Sequence, residues 1–200
     1  MYIPKNFLVT DQNEVIEFMK RYSFATMISV EDKLPVATHL PFVISERGED
    51  IMLTAHFARA NTQWERITEG DVLVIFTEPH AYISPKNYDH ERNVPTWNYI
   101  AVHAYGTVKL LQDVKQTLDV LEATIVNYES GYKAQWDRFD ESYKLKMIKG
   151  IVAFELTITD LQAKKKLSQN RTETEKTKII SDLSQRESSH ERDLANFMRK

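Results

Sequence analysis

FATMISV (24–30), PVATHLPFVI (35–44), IMLTAHF (51–57) and DVLVIF (71–76) follow one another between Phe24 and Phe76, each rich in β-branched and aromatic residues. Polar or glycine-bearing turns separate them, so they predict successive strands. Working outward, Asp11 with Glu14 forms a capping-box pattern ahead of Val15, Ile16, Phe18 and Met19, the apolar face of a helix. WNYIAVHAYGTVKLL (97–111) and IVAFELTITDLQAK (151–164) read as two further, longer strands. Between them, Asp113 with Gln116 opens an amphipathic helix through Leu118, Leu121 and Ile125, and Trp136 to Ile148 is expected to be one more. About six strands with few helices indicate a mainly β protein with α (α+β), a small antiparallel barrel carrying peripheral helices.

The chain has 200 residues, 42% of them apolar, with nine Phe, nine Tyr and three Trp, enough for one domain with a sizeable core. Beyond Lys164 it becomes charged, and Thr172 with Glu175 and Ser188 with Glu191 mark two short terminal helices. The expected division is therefore a barrel domain over 1–165 and a charged helical extension over 166–200. The absence of cysteine excludes disulfides, thiolate metal sites and thiol nucleophiles, and fits a reducing cytoplasm. No signal peptide is legible at the N-terminus, and no apolar run reaches the roughly 18 residues of a membrane span. A formal charge of -3 gives no general attraction to nucleic acid, so any DNA contact needs a local patch.

Four features can carry chemistry. The stretch from Pro79 to Gly106 gathers Tyr82, Tyr88, Trp97, Tyr99 and Tyr105 with His80, His90 and His103, a density suited to gripping a flat ligand or a second subunit. Thr54, His56, Arg59 and Asn61 stand where a strand passes into a possible helical turn capped by Asn61. They read either as an anion site built from a guanidinium and free N–H groups, or as an N-cap beside a solvated arginine. Thr38 and His39 within one strand, and Trp97 and Asn98 opening another, can meet the edge and face of a planar ring or can be core and sheet-surface residues. Lys164, Lys165, Lys166 and Arg171 form a basic run able to pair with phosphates, or a solvated surface. The histidines lack metal-ligand spacing, so no metal site is expected, and the absence of Gly-x-Ser-x-Gly, Walker and Gly-x-Gly-x-x-Gly motifs leaves no catalytic residue to assign.

Taken in order, MYIPKNF, ATHLPF, AHFARANTQW, PHAYISP, VPTWNY, VHAYG, IVAFE and AKKKLSQNR closely resemble the PaiB family of bacterial FMN-binding negative transcriptional regulators, over nearly the whole chain. The resemblance implies a split β-barrel related to the pyridoxamine phosphate oxidase and flavin reductase barrels, forming a homodimer with FMN at the subunit interface. It assigns Thr54 to Asn61, with His56, to the phosphate side through Arg59, sets Thr38 and His39 on the flavin-facing strand, and brings Trp97 and Asn98 to its polar edge. Two departures stand out: Glu78 where the family has glycine before Pro-His-Ala-Tyr, and Lys86-Asn87-Tyr88 where a Ser-Trp-Tyr-like turn is expected. The implied function is a cytoplasmic repressor linked to sporulation and extracellular protease genes, touching DNA through the local basic patch. The alternatives are a flavin-dependent oxidoreductase or flavin carrier, and a haem binder using His80 or His103. Tyr82, Tyr88, Trp97 and Tyr99 are the expected anchors of the dimer.

Overall fold

The computed structural model describes residues 1–199. Its strands are β1 (Leu8–Val9), β2 (Phe24–Glu31), β3 (Leu34–Pro41), β4 (Val43–Arg47), β5 (Asp50–Ala58), β6 (Val72–Phe76), β7 (His80–Ile83), β8 (Thr96–Leu111) and β9 (Ile151–Lys166). Its helices are α1 (Gln12–Arg21), α2 (Val114–Glu129), α3 (Lys133–Asp137), α4 (Glu141–Ile148), α5 (Glu173–Ser184) and α6 (Ser189–Met198). The sheet runs β3-β2-β6-β8-β9-β5-β4, with β1 paired to β9 and β7 paired to β8. No helix among the described residues is long and apolar enough to cross a membrane.

The chain forms two compact units, each assembled from separated stretches. The first takes Met1–Val15, Thr77–Val102 and the residues from Gln162 on, so α5 and α6 belong with β1 and β7; the second takes Ile16–Phe76 and His103–Leu161.

In the second unit, β3 and β4 lie at opposite ends of the hydrogen-bonded path, yet only Phe42 separates them in the chain. A sheet whose two edges share one connecting residue has to curl until those edges meet. The run 35–44, expected as a single strand, therefore breaks here into two. Pro41 has no N–H for the ladder, and the N–H of Phe42 donates instead to the Ser23 carbonyl at 2.9 Å. The Phe42 ring is fully buried, 6.1 Å from Phe76 and 6.3 Å from Phe154, while Phe57 stacks on Phe154 at 5.0 Å. Tyr128, from α2, donates its hydroxyl to the Phe42 carbonyl at 3.0 Å and meets Ser23 Oγ at 2.7 Å. A Cβ at Gly106 on β8 would stand 2.2 Å from the Thr157 carbonyl of β9, so only glycine permits that approach. The helix expected over 136–148 is divided into α3 and α4.

The first unit is held by α5 and α6, which bury Ile179, Leu183, Leu194 and Ala195. Thr172 caps α5 in a full capping box, accepting from the Glu175 N–H while the Glu175 carboxylate accepts from the Thr172 N–H. Glu175 also accepts from the Asp89 N–H at 3.1 Å, which ties the loop before β8 to that helix.

Candidate functional site

The second unit places half of the expected ligand residues, Thr54, His56, Arg59 and Asn61, on or just after β5. Alternation buries Leu53, Ala55 and Phe57 and turns Thr54 and His56 to the other face. Past the strand end, Arg59 is clasped: Nε donates to the Lys149 carbonyl and Nη2 to the Ile151 carbonyl, both at 2.8 Å. Its guanidinium lies 5.8 Å from the Trp64 ring centre, and the Trp64 indole N–H donates to the Arg59 carbonyl at 3.0 Å. Nη1 is left without an acceptor among the described residues, and Arg59 lines a pocket of about 320 Å³ with Trp64, Gln112 and Thr117.

A second pocket, of about 410 Å³, shares Leu111 as a wall with the first. It collects the hydroxyls of Ser45 and Thr54, the amide of Gln116, Lys109, and the Arg47–Glu155 pair, bidentate at 3.1 and 2.7 Å. The two pockets thus offer a prepositioned guanidinium beside an indole, then neutral donors and a second cation. Such a donor set fits a phosphorylated planar cofactor, since the cation meets the phosphate and the uncharged groups meet a ring edge. Trp64, Gln112, Thr117, Ser45, Lys109 and Gln116 were not anticipated as lining residues. Trp64 closes the AHFARANTQW motif, whereas Gln116 carries only a capping signal in the sequence.

Thr38 and Asn61 are brought together, but as structure. Asn61 caps a single turn at Thr62–Glu65 through the Gln63 N–H (3.1 Å) and donates to Thr38 Oγ1 (2.8 Å). Thr38 in turn donates to Gln63 Oε1 (2.6 Å), and the buried Gln63 amide donates to Ser29 Oγ and the Val36 carbonyl. The N-cap reading of Asn61 holds, and the Thr38 hydroxyl is fully engaged. Burial pushes the pKa of His56 below its ordinary value.

His39 lies on a different surface, stacked at 24° on Phe24. The register pairs Phe24 with Pro41, Thr26 with His39 and Ile75, Ile28 with Ala37 and Leu73, and Val30 with Pro35. This outward face of β3, β2 and β6 carries no Lys, Arg, Asp or Glu, in a chain whose residues are 28% charged. Phe24 is 67% exposed on it and Val30 64%.

The first unit corrects several expectations. Asn98 is 0% exposed and exchanges hydrogen bonds with Ser168, so it does not present an amide to the polar edge of a ring. Trp97 stays half exposed, with His80 and Tyr82 beside it at 5.7 and 6.1 Å. The basic run does not form an open patch. Lys164 is 8% exposed, its ammonium lying 5.0 Å from the Tyr99 ring centre and 5.8 Å from that of Tyr2. Lys165 pairs with Glu14. Lys166 donates to Thr96 Oγ1 and the Trp97 carbonyl, and burial pushes its pKa down. Arg171 sits 3.7 Å over the Tyr88 ring and donates to Asn93 Oδ1. Tyr88 is thereby 7% exposed within one chain, which removes it as a dimer anchor. Glu78 Oε2 lies 2.7 Å from His190 Nδ1 within the same unit, a contact that becomes an ion pair only with a protonated imidazole.

Residues 1–160 match the model of a family described as "Putative FMN-binding domain". The protein named Protease synthase and sporulation protein PAI 2, from Bacillus subtilis strain 168, is 39% identical over 201 residues, spanning 99% of this chain and 96% of that one. The chain belongs to the PaiB family. Another relative, the uncharacterized protein AN0679 of Emericella nidulans, is 29% identical over 202 residues, covering 82% of this chain and 80% of its own. Among solved structures, the flavocytochrome Anf3 of Azotobacter vinelandii superposes with a TM-score of 0.64 at 16% identity, over 82% of this chain and 72% of that one. The FAD and heme binding protein of Mycobacterium smegmatis gives 0.61 at 19% identity, over 80% and 73%. At those identities the likeness concerns the fold, and it bears out the expected α+β split barrel for this PaiB-family chain.

Proposed function

We propose that the protein is a PaiB-type regulator, a repressor of sporulation and extracellular protease genes, that holds FMN in the paired pockets of the second unit and works as a homodimer. The observation that carries this reading is the relation to the Bacillus subtilis sporulation protein over 99% of the chain, which takes in α5 and α6 beyond the flavin-family match as well as the barrel.

Bound flavin would supply a redox centre. In this proposal Arg59 takes the phosphate through its free Nη1, Trp64 covers one side of the pocket, and Thr54, Ser45 and Gln116 offer hydrogen bonds to the ring edge. Homodimerisation is supported by the uncharged β3-β2-β6 face, where Phe24 and Val30 are large apolar side chains left in water. Repression, direct or through a partner, is assigned no surface at Lys164 to Arg171, because those cations have intramolecular partners.

A visible absorption titration of purified protein with FMN tests the cofactor. Wild type is expected to acquire perturbed flavin bands, and Arg59→Ala to weaken binding by about 30-fold, the equivalent of ~2 kcal/mol. A thermal melt of the variant accounts for the lost clasp on Lys149 and Ile151. Protein that ignores FMN sinks the cofactor reading, and a protease-gene reporter unchanged by deleting this gene sinks repression.

A further inference from the structure

The first unit holds a cavity of about 410 Å³ that the flavin reading leaves unused. Its volume falls in the range of small-molecule sites. Phe7, Leu8, Leu167 and Phe197 supply an apolar wall, and Leu8 leaves about half of its side chain in water there.

The lining also carries four ionisable side chains, Asp11, Glu14, Lys165 and Lys176. Glu14 and Lys165 neutralise each other. Asp11 uses Oδ1 to accept from the N–H groups of Asn13 and Glu14, at 2.9 and 3.3 Å, and Oδ2 has no donor among the described residues. Lys176 reaches Glu173 at 2.8 Å, but that carboxylate is 88% exposed, and a pair of this kind holds its cation weakly. One carboxylate oxygen and one ammonium therefore remain available beside an apolar wall, in a lining whose formal charges cancel. A ligand of net charge would leave that balance broken in a partly dehydrated site, while a zwitterion preserves it.

We propose that this cavity binds a small zwitterion with an apolar body, the chemistry of an aliphatic α-amino acid. Lys176 takes its carboxylate, Asp11 Oδ2 takes its ammonium, and the side chain packs against Leu8 and Phe197. The cavity shares no lining residue with the flavin pockets.

Isothermal titration of the full chain with L-leucine tests the proposal, against three truncated probes: 4-methylpentanoate, 3-methylbutylamine and glycine. Leucine is expected to bind, and each probe, lacking the ammonium, the carboxylate or the side chain, to bind at least about tenfold more weakly. Lys176→Met, which keeps a good helix former in α5, and Leu8→Gln, at a half-exposed position, should each lower leucine affinity by about tenfold without changing the FMN titration. Melting curves of the two variants show whether they fold. Absence of binding at millimolar leucine, a truncated probe that binds as well as leucine, or folded variants with wild-type affinity would each overturn the assignment.

Discussion

The β2-β3-β6 face of the second unit and the Lys164 to Arg171 segment of the first invert the ordinary relation between polarity and exposure. Phe24, on the former, is 67% exposed, whereas Lys164, on the latter, is 8% exposed. A lysine is buried at tolerable cost when rings and carbonyls surround its ammonium, as Tyr2 and Tyr99 do here. Phe24, stacked on the His39 ring, stays mostly in water, so the surface rather than the basic run points to a partner.

The comparison breaks most visibly at the apolar face. Introducing Phe24→Glu with Val30→Glu places a carboxylate at each end of β2 on the proposed subunit contact. We expect the dimer dissociation constant to rise about 100-fold or more, the equivalent of ~3 kcal/mol, with a monomer seen by light scattering. A dimer that persists at micromolar concentration moves the interface elsewhere.

Next in size, Lys164→Ala removes both ring contacts and a hydrogen bond to the Tyr2 carbonyl. A loss of about 2 kcal/mol of stability is expected in denaturant unfolding, with nucleic-acid affinity unchanged. The opposite pattern, intact stability and weakened DNA binding, would restore the basic run as a contact surface.

The smallest effect concerns His56, the half-buried imidazole of β5. Its folded-state pKa is lowered by burial, so the unfolded chain takes up the proton at higher pH than the folded one. The stability due to neutral His56 is complete above the unfolded value near 6.5 and declines as pH falls below it. Melting temperatures measured from pH 7 to 5 should fall less steeply in His56→Gln than in wild type; identical slopes would show that the imidazole does not contribute.

Strand positions were largely legible in the sequence because alternation along β2, β5, β6, β8 and β9 is a local property. The 35–44 run reads as one strand because the break at Phe42 depends on where the sheet's far edge arrives, which no local pattern records. The same limit applies to the site. Arg59 was recognisable as a cation beside a strand end, but the carbonyls that hold it belong to residues 149 and 151, about ninety positions away. Thr38 and Asn98 are assigned from the sequence to a bound ring, and the fold engages both in internal hydrogen bonds instead. Their buried hydrogen-bond partners, Gln63 and Ser168, became visible only with the fold.

The single-residue junction at Phe42 also determines where this protein can lengthen. A hydrogen-bonded seam can slip or gape and still close, but a covalent link with no spare residue cannot. An insertion between Pro41 and Val43 would move the Phe42 ring off Phe76 and Phe154 and release its carbonyl from Tyr128. The turn at Asp32 and Lys33, exposed and already in left-handed backbone conformation, bears no such constraint. A short insertion at that hairpin tip costs only the Asp32–Arg66 pair, whereas a bulky fusion there would crowd the β3-β2-β6 face, and the corner at Phe42 stays at its present length in any functional redesign.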